Sequence, residues 1–240
     1  MIELYQVSKS YVRGGRKAVD DLTLTVTPGE IFGFLGPNGA GKTTTIKMMA
    51  GLLRPDTGTI RINGFDMARE PLKAKAQLAY VPDSPEVYER LTGLEYLNFI
   101  GDIYGVAPAD RQRRIQDLGE RFELTHALAD RISGYSHGMR QKLVLMAALL
   151  HDPPVWILDE PMVGLDPRSA YTLKELMVEH TRKGRTLFFS THVLEVAERL
   201  CDRVAIIKNG RIIASGTLEE LRHGQSGESL EEIFLELTEQ

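Results

Sequence analysis

Residues 36–44 read GPNGAGKTT, and Gly36, Gly41, Lys42 and Thr43 fill every fixed position of the pattern G-x-x-x-x-G-K-[ST]. The stretch stands between a nearly continuous apolar run, EIFGFL (30–35), and a helical pattern, TTTIKMMAGLL. No other feature constrains the fold as much. A strand buried on both faces must deliver the loop, and a helix must leave it. Such a loop cradles phosphate. Gly36, Gly39 and Gly41 let backbone N–H groups converge on oxygens with no Cβ in the way, and Pro37, Asn38, Ala40 and Thr44 complete the wall. Lys42 supplies a point charge to the β- and γ-phosphates, and the Thr43 hydroxyl is placed for Mg²⁺.

The rest of the chain fits an α/β core. IELYQV (2–7) and LTLTV (22–26) alternate as half-buried strands do, with YVRGGRKAVDD between them as a hairpin connection. TIRI (59–62), AYV (79–81), VWILD (155–159), TLFFS (186–190) and RVAII (203–207) are further strand candidates, and the helical patterns among them argue a mostly parallel sheet. Residues 86–152 show helical periods alone. The expectation is one domain over 1–240: a core with an N-terminal antiparallel β subdomain (1–85 and 153–240) and an inserted all-helical subdomain (86–152). Near the end, Ser229 and Glu232 stand at capping-box spacing, and Leu230, Ile233, Phe234 and Leu237 share a face expected to dock on the chain's own core.

Composition narrows the partners. A formal charge of −4 gives no basic footprint for nucleic acid. Cys201 is the sole cysteine, so no internal disulfide framework exists, which suits a reducing compartment. The longest apolar run, LVLMAALL (143–150), is far short of the roughly 20 residues that cross a bilayer. The chain is therefore expected to be soluble, with no signal peptide.

VWILDE (155–160) supplies a second half to the site. Its apolar strand carries Asp159 to its carboxyl end, where it can hold Mg²⁺ through water, and Glu160 points towards the place of an attacking water. His126, His151, His180 and His223 show no metal-ligand spacing and are expected at the surface.

Together these residues resemble the ATP-binding subunit of ABC transporters, over essentially the whole chain. GPNGAGKTT and ILDEP are similar to the family's two Walker motifs, GLDP (164–167) to its D-loop, STH (190–192) to its switch histidine, and YSHGMRQ (135–141) to its signature. The resemblance implies a P-loop NTPase core that binds ATP and Mg²⁺, with Tyr11 stacking on adenine. It further implies catalysis by Lys42, Glu160 and His192, and a head-to-tail dimer, homodimeric or with a paired ABC subunit. There Ser136, Gly138 and Asp166 help to close the other subunit's nucleotide site. His137 replaces a signature glycine and is expected to face solvent at the interface edge. Asp83 stands where the family has a glutamine that touches Mg²⁺, and it either reaches the metal or only shapes its loop. The implied partner is an integral-membrane permease of exporter type, docked near residues 83–100. It would hold the chain at the cytoplasmic face of the membrane. Two other readings are a soluble ATPase acting on ribosomes or DNA and a nucleotide-binding regulator without turnover.

Overall fold

The computed structural model describes residues 1–12, 14–222 and 229–239. The chain opens with β1 (Ile2–Ser10) and β2 (Lys17–Val26) and passes through β3 (Ile31–Leu35) into α1 (Lys42–Met49). It continues with β4 (Thr57–Ile62), β5 (Phe65–Asp66), α2 (Pro71–Ala76) and β6 (Leu78–Val81). Helices α3 (Gly93–Ile103), α4 (Pro108–Arg121) and α5 (His137–Leu149) come next. Then follow β7 (Val155–Asp159), α6 (Pro167–Arg182), β8 (Thr186–Thr191), α7 (Leu194–Leu200), β9 (Arg203–Lys208) and β10 (Arg211–Gly216). Helices α8 (Leu218–Leu221) and α9 (Leu230–Glu239) close the described chain.

Two sheets result. The smaller, ordered β2-β1-β4-β5, is antiparallel. The larger, ordered β10-β9-β3-β8-β7-β6, is parallel except where β10 joins β9. This is the α/β fold that the loop sequence required. β3, β7 and β8 are buried at every position, because helices cover one face of the large sheet and the small sheet covers part of the other. On the helical face Trp156, Leu187 and Phe189 meet Leu143, Met146 and Leu173. On the opposite face Phe32 stacks on Phe188 at 5.8 Å between ring centroids, with Phe34 tilted beside it at 5.3 Å.

Several elements depart from the sequence reading. β2 starts at Lys17 rather than Leu22, because a bulge with Asp21 at φ 52 breaks the alternation between buried Val19 and buried Leu22. β5 and β10 were not anticipated, yet each follows an Asn-Gly turn with both residues at positive φ (Asn63 and Gly64, Asn209 and Gly210).

His180 and His151 are not surface residues. His180 continues the buried stripe Leu173, Leu176, Met177 of α6, its Nε2 lies 3.2 Å from the Thr186 carbonyl oxygen, and its ring meets Trp156 edge-on. His151 stacks on Tyr104 at 3.7 Å between centroids. Burial holds both imidazoles down to about 4. His126 is exposed, and His223 lies outside the described residues. On α9 the Ser229–Glu232 capping box is formed, and Leu230 and Ile233 are buried with Leu35, Ala197 and Ile206.

Between β6 and β7 every described regular element is a helix. α3 begins on a Thr92–Glu95 capping box, and α5 begins on Ser136, whose side chain accepts from Met139 N–H at 3.2 Å.

Candidate active site

The site is assembled by register in the parallel sheet. β8 lies between β3 and β7, pairing Leu35 with Thr191 and Asp159 with Ser190. The next residue along each strand direction leaves the sheet at the same carboxyl edge: Gly36, Glu160 and His192. A binding crevice outside the carboxyl ends of parallel strands is the usual place for ligands in such sheets.

Close backbone approach forces the glycines. A Cβ on Gly36 would come within 2.4 Å of the Ile207 carbonyl oxygen. Gly41, at φ 113, would meet the Ala18 carbonyl oxygen at 2.5 Å. Gly39, at φ 77, faces open space instead. Gly210, in the β9–β10 turn, donates its N–H to Ala40 carbonyl oxygen at 2.8 Å and so braces the loop. Gly41 caps α1 without a side-chain bond, which leaves first-turn N–H groups for an anion. Lys42 is folded back over the loop, donating from Nζ to the Gly36 carbonyl at 2.6 Å and the Pro37 carbonyl at 3.4 Å. Desolvation lowers its ammonium, while Glu160 and Asp159 pull it back up.

The loop forms one wall of a cleft of about 380 Å³, lined also by Tyr11, Ala18, Asp83 and Glu160. Pro37, Asn38, Gly39, Gly41, Lys42, Thr43 and Thr44 face it, whereas Gly36 and Ala40 lie behind the lining. The Tyr11 hydroxyl is 3.1 Å from Thr44 Oγ1, and the residue is otherwise exposed.

Asp159 is fully buried at the floor. Ser190 Oγ donates to its Oδ1 at 2.6 Å, and its Oδ2, with the Thr43 hydroxyl nearby, has no hydrogen-bond partner among the described residues. Burial is the main cause that pushes this carboxyl up, against the Ser190 and Thr43 hydroxyls, with Asp83 and Glu160 adding repulsion. The same Ser190 oxygen accepts the Glu160 N–H at 3.1 Å, fixing Glu160 at φ 48. Glu160 Oε2 lies 2.9 Å from His192 Nδ1 and accepts the His192 backbone N–H at 3.4 Å. Ser190 thus ties both acids together, a role the sequence reading missed although its STH triplet held the residue. A buried carboxylate oxygen without a partner, flanked by two more acids and a hydroxyl, fits a hard divalent cation.

Ser136, Gly138 and Asp166 do not line this cleft. Asp166 caps α6, accepting from Ser169 N–H at 2.9 Å and Ser169 Oγ at 2.7 Å, and pairs with Lys142 of α5 at 2.9 Å. Asp83 does line the cleft, its Oδ1 accepting Ser84 N–H at 2.9 Å.

A phosphate loop, a buried acid, a second acid and a histidine on one sheet edge define a P-loop nucleotide-hydrolysing enzyme. The ABC transporter family profile matches residues 19–163. The ABC transporter ATP-binding protein NatA of Bacillus subtilis (strain 168) is 39% identical over 91% of this chain and 89% of its own length. The Nod factor export ATP-binding protein I of Paraburkholderia xenovorans (strain LB400) is 40% identical over 97% of this chain and 76% of its own. A solved ATP-binding subunit of an ABC transporter superposes with a TM-score of 0.94 at 40% identity, covering 99% of both chains. The chain belongs to the ABC transporter family, as an ATP-binding subunit with ATPase activity.

Proposed function

We propose that the chain hydrolyses Mg²⁺-bound ATP in a head-to-tail dimer and so drives a separately encoded membrane permease, of exporter type. The register that brings Gly36, Glu160 and His192 to one edge, with the Ser136–Gly138 turn outside that cleft, carries the reading. One chain then holds two half-sites, and a second chain completes each.

In this reading the loop N–H groups and Lys42 bind the phosphates and Tyr11 flanks the base. Thr43, Asp159 and Asp83 would hold the metal, which when bound would neutralise phosphate charge. Glu160 Oε2 takes the proton of the attacking water, and His192 keeps that carboxylate aimed. Ser136 and Gly138 close on the partner chain's nucleotide, and Asp166 keeps the D-loop against α5.

Permease docking is supported by exposed aromatic and aliphatic side chains around α3: Tyr88 is 60%, Phe99 41% and Ile103 60% exposed, with Tyr88 edge-on to Phe99 at 5.6 Å. Among the described residues no helix is long and apolar enough to cross a membrane. In this reading the chain sits at the cytoplasmic face through the permease, residues 86–152 move as a lever against 1–85 and 153–240, and the Nod factor relative favours export. Steady-state hydrolysis tests the site: wild type should turn over ATP, and Glu160→Gln should do so far more slowly. Equal rates would refute it.

A further inference from the structure

The signature turn and the loop after Glu160 meet within this chain. A Cβ on Gly164 would lie 2.3 Å from His137 Cδ2 and 2.6 Å from its Nε2, so the imidazole edge lies across the Gly164 backbone. A Cβ on Gly138 would come to 2.9 Å from the Gly164 carbonyl oxygen. Gly164 itself holds φ 80, where side chains are strained. Further along α5, Gln141 Nε2 donates to the Pro161 carbonyl at 3.3 Å, and Lys142 Nζ pairs with Asp166 Oδ2 at 2.9 Å. Loop 161–166 is therefore gripped at its start by Gln141, at its middle by His137 and at its end by Lys142. Glu160, at φ 48, stands immediately before it.

The end grips are polar bonds; between them Met162 and Leu165 pack on the core, Leu165 N–H donates to the Met162 carbonyl at 3.3 Å, and the His137 ring holds the Gly164 backbone. We infer that His137 is a positioning residue: its imidazole seats Gly164 and, through loop 161–166, fixes the Glu160 carboxylate where it meets His192. A glycine at position 137 would put no atom in that space, and the loop would shift about its two fixed ends. Misplacing a catalytic group by about 1 Å costs on the order of 10²-fold in rate. The inference rests on the reading of Glu160 as the base. It adds a link between the turn that closes on a second nucleotide and the base that acts on the first.

Steady-state ATP hydrolysis and thermal melting of the purified chain test it, in wild type, His137→Ala, His137→Phe and Glu160→Gln. His137→Ala should lower kcat roughly tenfold while KM for ATP stays within about twofold and the melting temperature holds. His137→Phe keeps a flat ring over Gly164 without nitrogens, and should recover most of kcat. The inference is overturned by an unchanged kcat in the alanine variant, by a kcat loss matched by lower melting, or by a phenylalanine variant as slow as alanine. Wild-type turnover by Glu160→Gln would instead overturn the site reading beneath it, whatever the His137 variants do.

Discussion

Asp159 shows what the site demands of a single residue. Burial pushes its carboxyl up, so the folded chain holds that proton more tightly than the unfolded chain does. Stability linked to the protonated form is full below the ordinary carboxylate range and is lost as pH rises through the raised value. At neutral pH the ionised group therefore costs stability, which a bound cation would offset. Asp159→Asn should raise the melting temperature by a few degrees in chelator without nucleotide, and abolish hydrolysis; a lower melting temperature would contradict this. Asp83 tests the metal set from the other side. It lines the cleft and its charge raises Asp159, so Asp83→Ala should raise the Mg²⁺ needed for half-maximal hydrolysis about tenfold. An unchanged requirement would leave Asp83 shaping its loop only. Glu160→Gln should slow turnover by about 10³-fold, or about 4 kcal/mol of barrier, since an amide cannot take the water's proton. Lys42, Thr43, Asp159 and Glu160 were legible because fixed spacing and strand ends announce them. Ser190 was not, because its task depends on lying opposite Asp159 in the sheet.

At the scale of elements, legibility followed periodicity. β3, wholly apolar, and β7, apolar up to its last residue Asp159, could be read directly, since burial on both faces leaves no polar interruption before the strand end. β2 was read short because the bulge at Asp21 hides a change of phase. β5 and β10 went unread despite Asn63-Gly64 and Asn209-Gly210, where the hairpin signal lies in the turn rather than in the short strands. The histidines failed for a related reason: His180 holds a place on the α6 stripe that an apolar residue would have marked. Burial of these rings has a consequence in acid. His151 and His180 fall from 6.5 to about 4, so the unfolded chain binds protons that the folded chain refuses. Their stability is full above 6.5 and drains as the pH falls towards 4. A plot of melting temperature against pH should decline across that window in wild type and flatten in the His151→Asn/His180→Asn double variant. Parallel plots would show that neither imidazole matters.

At the scale of the molecule, the sheet brings Gly36, Glu160 and His192 to its carboxyl edge, while Ser136 and Gly138 start α5 outside that cleft. In the proposed head-to-tail pair these two groups are halves of sites that serve different nucleotides. Mixing two inactive variants tests this most directly. Lys42→Ala removes the phosphate cation, and Ser136→Arg sets a long charged side chain on the signature turn at an exposed position. Each alone should be inactive, because every site in either homodimer lacks one half. In an equal mixture about half the dimers pair one chain of each kind, and each such dimer keeps one intact composite site. Hydrolysis should recover to roughly a quarter of the wild-type rate on mixing. A mixture as inactive as its components would contradict the head-to-tail pairing, since sites completed within a single chain gain nothing from a partner.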